Sequence, residues 1–250
     1  MPELTSLQWC LVVLAAFGVG VSKSGFTGVG LFHVSVFATL FGARESTGIV
    51  LPMLIVGDVL AVSVFRQHAR WDYVRRLLLP TTIGVVVGWL LMYQLDERVY
   101  KPTIGAIILT LATMQFLRIW RPRWFGQVPH SLLFAWGLGW LTGFSTMLAN
   151  AAGPVMALYL VAVSLPKLQL IGTTAWFFLI LNLFKVPFSI SLGLIHTETL
   201  LLNAVLVPGI VLGLYSGRWL MQRVPQRAFD ALVLAFSVVM GLRLVGLFGH

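Results

Sequence analysis

Long apolar runs separated by short polar connections follow one another from one end of the chain to the other. About 20 apolar residues are enough for one helix to cross a bilayer, whereas the strands of a membrane barrel would alternate apolar and polar residues. Because a chain in lipid must satisfy its own backbone hydrogen bonds, the runs predict membrane helices. They lie at 7–22, 26–42, 47–65, 76–93, 102–119, 132–148, 153–165, 170–192, 199–221 and 228–248. No basic residue precedes the first run, so we keep that run as a membrane helix rather than a cleaved signal peptide.

Two pairs of neighbouring runs are short or interrupted. Ser22-Lys23-Ser24-Gly25 joins the first run to the second, and Ala149-Asn150-Ala151-Ala152 joins the sixth to the seventh. Each pair is either two spans or one span with a re-entrant segment. The pattern therefore predicts an all-α polytopic transmembrane bundle of eight to ten segments.

The two halves of the chain carry the same signals in the same order, which predicts an internal repeat. The matches are Gly25-Phe26-Thr27 with Gly143-Phe144-Ser145, Thr47 with Thr173 or Thr174, Leu79-Pro80 with Val207-Pro208, Gly84 and Gly88 with Gly213 and Gly217, Arg98-Val99-Tyr100 with Arg227-Ala228-Phe229, and 114–118 with 240–243. We expect a first transmembrane repeat at 1–120, a connection at 121–130 and a second transmembrane repeat at 131–250.

Equivalent connections differ in charge. The connection 66–76 carries a net charge of +3, whereas its counterpart near 195–200 carries about −1. The central connection 118–130 also carries +3. Basic residues mark cytoplasmic loops, and inverted repeats place equivalent loops on opposite sides of the membrane. We therefore predict two inverted repeats of about five segments each, with 121–130 in the cytoplasm; four segments per half would leave the asymmetry unexplained.

Composition supports a membrane protein and argues against nucleic-acid binding. The chain is 58% hydrophobic and 10% charged, whereas a soluble domain averages about 25% charged residues. The net charge is +9, but the basic residues lie in the short connections, where they set topology. We therefore expect the lipid bilayer as a partner and no nucleic acid.

The first interruption has the chemistry of an anion site. A break between short helices exposes backbone N–H groups at a helix N-terminus, where the helix dipole attracts anions, and glycines let a ligand approach the backbone. A turn with a topology-setting lysine and packing glycines is the alternative. The predicted substrate-binding residues here are Lys23, Ser24, Gly25, Thr27, Gly28 and Gly30.

The second interruption lies at the matching position of the other half, and paired interruptions are the best sequence pointer to the binding site of a transporter. Its hydroxyls and amide can face a cavity, and Pro154 suits the first turn of a new helix. The predicted substrate-binding residues here are Ser145, Thr146, Asn150 and Gly153.

Two charges lie inside apolar runs, where a charged side chain is costly. Lys185 has Asn182 one turn before it, and both are predicted substrate-binding residues. We predict that Lys185 is a cation that faces a cavity rather than one that snorkels to the membrane surface. Asp58 is the candidate coupling or counter-ion residue, since it can pair with Lys185 or carry a proton; a structural ion pair is the alternative. Thr173 is a candidate ligand at a helix entrance, where a simple cap is the more common role.

No motif indicates catalysis or a cofactor. The five histidines show no metal-ligand spacing, and no phosphate-binding GxxxxGK[ST] segment is present. No Ser/His/Asp set is apparent either. We therefore expect no metal, no cofactor and no enzymatic activity.

The second half resembles the sulfite exporter TauE/SafE family of membrane transporters. The resemblance rests on Gly172-Thr173-Thr174-Ala175-Trp176-Phe177-Phe178, on Leu181-Asn182-Leu183-Phe184-Lys185-Val186-Pro187, on Gly193-Leu194-Ile195 and on Pro208 through Gly217, beside the doubled Gly-rich segment. It implies a multi-pass protein of the inner (cytoplasmic) membrane that exports sulfite or a small organosulfur anion such as sulfoacetate, with proton coupling.

These observations lead to the hypothesis of a secondary transporter of small anions that works by alternating access between two inverted halves. Three rivals stay open. They are a passive anion channel, a membrane-embedded enzyme and a scaffold subunit of a larger complex. The sequence also leaves the oligomeric state open, a homo-oligomer included.

Overall fold

A computed structural model describes residues 4–26, 29–120, 132–162 and 165–220, together with Arg223, Val238, Val239 and Leu242. Within these ranges the chain is helical, with short turns between the helices. The helices are α1 (Ser6–Lys23), α2 (Val29–Phe41), α3 (Glu45–Phe65), α4 (Trp71–Gln94), α5 (Glu97–Trp120), α6 (Leu132–Ala149), α7 (Gly153–Ala162), α8 (Lys167–Ser191) and α9 (Thr197–Leu220), with a short 3₁₀ turn at Arg66–His68. The all-helical prediction is confirmed. The last predicted run, 228–248, and the connection 121–130 lie essentially outside the described residues.

Among the described helices, six are long and apolar enough to cross a membrane: α1, α3, α4, α6, α8 and α9. By contrast, α2 has 13 residues and α7 has 10. At a rise of 1.5 Å per residue they are about 20 Å and 15 Å long, which is shorter than the roughly 30 Å hydrocarbon core of a bilayer. Each interrupted pair is therefore a long helix followed by a short one.

Both interruptions occur where the backbone adopts a left-handed conformation. After α1, Gly25 has φ of +111°, and after α6, Asn150 has φ of +52°. Glycine tolerates this region because it lacks a Cβ, and asparagine tolerates it better than most other residues. Pro154 then lies in the first turn of α7, where its fixed φ suits a helix start.

The most extensive helix contacts are α1 with α9 and α4 with α6. Glycines bring these backbones together: a Cβ on Gly20 would lie 2.0 Å from the Ile210 carbonyl oxygen, and one on Gly143 would lie 1.9 Å from the Thr81 carbonyl oxygen. Such close approach is typical of membrane helices that cross at small residues. The sequence comparison matched Gly143 with Gly25. In the structure, Gly20 makes the contact in the α1–α9 crossing that Gly143 makes in the α4–α6 crossing.

The central helices α3 and α8 pack antiparallel to each other. Gly48 at the start of α3 meets the Leu194 carbonyl after α8, and Gly172 at the start of α8 meets the Phe65 carbonyl at the end of α3. The Arg-rich turn after α3 and the turn after α8 therefore lie at opposite ends of this helix pair.

The helices of the two halves correspond in pairs: α1 with α6, α3 with α8, and α4 with α9. If the members of each pair are exchanged, the α1–α9 contact becomes the α6–α4 contact, and the α3–α8 contact is unchanged. This is the contact pattern that two related halves would produce. That the halves form inverted repeats, with opposite orientations in the membrane, stays a prediction.

Large apolar side chains cover the outer faces of several helices. Leu79 on α4 is 59% exposed, Leu133 on α6 is 85% exposed and Leu212 on α9 is 63% exposed. Because lipid tails are as apolar as these side chains, such faces suit contact with a bilayer. The polar side chains of the predicted site lie on the inside instead.

Candidate functional site

A cavity of about 60 Å³ lies where the two interruptions meet the middle of α3 and α8. About 10–15 Å³ holds one water molecule, so this cavity has room for several waters or a small anion. Both halves of the chain contribute polar walls. Among its lining residues are Ser22, Lys23, Gly25, Gly30, His33, Asp58, Thr146, Asn150, Gly153, Thr174, Phe178 and Asn182.

An ion pair joins the first interruption to α3. The Lys23 ammonium lies 2.6 Å from the Asp58 Oδ1, and the Asn182 Nδ2 donates to the Asp58 Oδ2 at 2.7 Å. Asp58 is fully buried. Pairing with Lys185 was one of the roles left open for Asp58, and the structure pairs the carboxylate with Lys23 at the end of α1 instead.

The position of Lys23 depends on its neighbours. A Cβ on Gly57 would lie 3.2 Å from the Lys23 Cγ, so a glycine there leaves space for the lysine stem. The ammonium also lies 5.1 Å from the centre of the Phe178 ring, within the range of a cation–π interaction. These contacts hold the long, flexible side chain of Lys23 at one wall of the cavity.

Lys185 is the second cation, and it is 1% exposed. Its ammonium donates to the Thr146 Oγ1 at 3.2 Å and to the Asn150 Oδ1. Within the described residues, no carboxylate lies within 4.0 Å of it. Lys185 is thus a buried cation held by neutral oxygens, directly behind two side chains that line the cavity.

Asn150 connects this cation to the other half of the chain. Its Oδ1 accepts from Lys185, and its Nδ2 donates to the Thr47 carbonyl of α3 at 2.8 Å. Its left-handed backbone turns the chain between α6 and α7. One residue therefore ends a helix, holds the buried cation and contacts the opposite half.

The structure brings most of the predicted site residues together. Eight of the fourteen line the cavity: Lys23, Gly25, Gly30, Asp58, Thr146, Asn150, Gly153 and Asn182. Lys185 contacts two of these eight. Thr27 and Gly28 lie outside the described residues.

Three predicted hydroxyls lie elsewhere and bond to nearby backbone. Ser24 donates to the Val21 carbonyl at 2.8 Å, and Ser145 donates to the Thr142 carbonyl at 3.3 Å. Thr173 accepts the Arg70 N–H at 3.0 Å, which fastens α8 to the turn before α4. Their ligand roles stay predictions, and the structure places all three outside the cavity lining.

Sequence reasoning missed His33 and Phe178 as wall residues. His33 was considered only as a metal ligand, although a histidine in a short apolar helix next to an interruption is itself a signal of a polar pocket. Phe178 could not be found from the sequence, because an aromatic residue in an apolar run carries no sign of the side it faces. Across the described residues, no three His, Cys, Asp or Glu side chains are arranged to hold a metal ion.

In the part of the chain that the structure describes, six helices long and apolar enough to cross a membrane, paired interruptions and a polar cavity between them define a multi-pass helical membrane protein with the architecture of a transporter. The family comparison is more specific: residues 12–244 match the family of the sulfite exporter TauE/SafE. The chain belongs to this family, and the resemblance seen in its second half is confirmed. No curated protein and no solved structure gave a significant match.

Proposed function

We propose that this protein is a secondary transporter that exports sulfite, or a small organosulfur anion related to it, across the cytoplasmic membrane. The observation that carries the proposal is Lys185, a cation buried beside a polar cavity and held by neutral oxygens, with no carboxylate within 4.0 Å of its ammonium in the described part of the chain. A buried charge without a partner is costly. An anion in the cavity supplies the missing negative charge.

The cavity walls offer hydrogen bonds to a small oxyanion. The Thr146 hydroxyl and the Asn150 amide reach both the cavity and Lys185, so they can turn toward an anion that enters. Hydrogen bonds to a charged group are about twice as strong as those between neutral groups. The potential of Lys185 adds to them in a setting with little water.

Alternating access is the transport mechanism that the contacts support. The cavity lies between elements of both halves, and α3 and α8 cross beside it. Movement of one half against the other would open the cavity to one side of the membrane at a time. No chemical change of the anion is part of this mechanism.

Asp58 is the proposed site of proton coupling. Its carboxylate holds Lys23 in an ion pair. Adding a proton to Asp58 removes the negative charge and frees the ammonium to face the cavity. Proton binding and anion binding therefore favour each other, and this linkage couples anion binding to the protonation of Asp58.

The test is uptake of labelled sulfite by proteoliposomes. Lys185→Met should lower uptake about tenfold or more, the effect expected when a charged hydrogen-bonding group is lost. Lys167→Met is the matched control, because Lys167 is an exposed lysine at the start of the same helix. It should keep wild-type uptake.

Counterflow separates a carrier from a channel. Unlabelled sulfite inside the vesicles should accelerate uptake of labelled sulfite, and the rate should saturate. Wild-type uptake in Lys185→Met would contradict the role of that residue. Uptake that rises linearly with concentration and shows no counterflow would indicate a passive channel.

A further inference from the structure

His33 is a buried polar residue that has no hydrogen-bond partner among the residues the structure describes. It lies on α2, is 1% exposed and lines the cavity. No described residue forms a hydrogen bond with either ring nitrogen. Its neighbour Ser35, also buried, donates to the Leu31 carbonyl at 2.7 Å. Because buried polar groups are nearly always paired, the imidazole indicates a ligand that the cavity takes up.

The ring is best treated as neutral. A buried charge requires a partner, and in the described ranges no carboxylate lies within 4.0 Å of His33. The ammonium of Lys23, which lines the same cavity, already carries a positive charge there. A neutral imidazole has one nitrogen that donates and one that accepts.

The accepting nitrogen of the imidazole requires a hydrogen-bond donor from the ligand. The Val29 carbonyl, one turn earlier on α2, interacts with the ring, although neither nitrogen reaches hydrogen-bond geometry. A carbonyl can satisfy only the donating nitrogen. The accepting nitrogen needs a donor, and the nearby Lys23 ammonium is engaged with Asp58.

We propose that His33 contacts the transported anion and selects anions that carry a hydrogen-bond donor, such as a hydroxyl group, as well as their charge. The accepting nitrogen of the imidazole takes the hydrogen bond from that donor, while the cations of the site attract the charged end. The inference rests on the proposed function and adds the substrate class: hydroxyl-bearing sulfur oxyanions and hydroxyalkanesulfonates over plain alkanesulfonates.

Two sulfonates of equal charge provide the test. Hydroxyethanesulfonate and ethanesulfonate differ by one hydroxyl, and their binding to the purified protein in nanodiscs is measured by calorimetry. The wild-type protein should prefer the hydroxyl-bearing anion about tenfold, because ethanesulfonate leaves the accepting nitrogen unpaired. His33→Phe should lose this preference, and His33→Gln should keep most of it, because its amide oxygen accepts.

His196→Phe is the matched control, since His196 is exposed in the turn before α9. It should bind both anions as the wild type does. The preference of the wild-type protein is measured without any variant. The inference can therefore be tested even if His33→Phe does not fold. Equal wild-type affinities for the two sulfonates, or an unchanged preference in His33→Phe, would overturn the inference.

The two proposals fail in different ways. If Lys185→Met binds anions more weakly but no variant of His33 changes the preference, only the role of His33 is overturned. If the wild-type protein binds neither sulfonate nor sulfite, the proposed function is overturned as well.

Discussion

At the scale of residues, each buried charge of the site meets a side chain from another element: Asp58 pairs with Lys23, and Lys185 donates to Asn150. A charge inside an apolar run is costly, so Asp58 and Lys185 were visible as exceptions. Which side chains they meet depends on the faces at which α1, α3 and α8 pack. For that reason the Lys23–Asp58 pair and the Asn150–Lys185 contact emerge only from the structure.

Asp58→Asn tests the coupling at this scale. The substitution removes the negative charge as a proton would, so sulfite should bind about tenfold more tightly near neutral pH. Wild-type affinity should rise on acidification, whereas the affinity of Asp58→Asn should change little with pH. Equilibrium binding across a pH series measures both effects.

Asp72→Asn is the control for that experiment, because the Asp72 carboxylate is 84% exposed and lies 3.8 Å from Arg70. It should keep the pH dependence of the wild type. An Asp58→Asn protein with the same pH dependence as the wild type would remove Asp58 from the coupling mechanism.

At the scale of elements, the lengths of the apolar runs predicted the helices well. The described helices begin and end within about five residues of the runs, because the bilayer fixes how much apolar chain each helix needs. Helix crossings were harder to predict. Gly20, Gly25 and Gly143 look alike in sequence, and only the packed backbones show that Gly20 and Gly143 make the close contacts.

Gly143→Ala tests one crossing. The added Cβ would meet the Thr81 carbonyl oxygen at 1.9 Å, so α4 and α6 must move apart. We expect a loss of about 1–3 kcal/mol in the free energy of unfolding, as for other overpacked sites. Unfolding in detergent, followed by circular dichroism, measures it.

Gly137→Ala is the comparison on the same helix. Nothing lies within 4 Å of a Cβ at Gly137. Alanine also favours the helix over glycine, so stability should be unchanged or rise by up to about 1 kcal/mol. Equal effects of the two substitutions would mean that the crossing does not depend on the absence of a side chain.

At the scale of the whole molecule, the charge asymmetry predicts an orientation. The Arg-rich turn after α3 should face the cytoplasm and the turn after α8 the opposite side, and the antiparallel packing of α3 and α8 places them at opposite ends of the helix pair. The orientation is predicted from the loop charges alone, whereas the contacts between the halves depend on folding and come from the structure.

Cysteine labelling checks this orientation. In a Cys10→Ser background, Gln67→Cys and Thr197→Cys each place one thiol at an exposed position. A membrane-impermeant reagent should label Thr197→Cys in cells whose cytoplasmic membrane it can reach, and Gln67→Cys only in inverted vesicles. Labelling of both from the same side would contradict the inverted repeats.

The most direct test of the anion site uses selenite, the selenium analogue of sulfite, in crystals of the protein. Anomalous scattering from selenium locates the anion without reference to any variant. We predict one peak in the cavity, within hydrogen-bond distance of Thr146 and Asn150 and next to Lys185. An empty cavity under conditions in which the protein transports selenite, or a peak outside these residues, would contradict the proposed site.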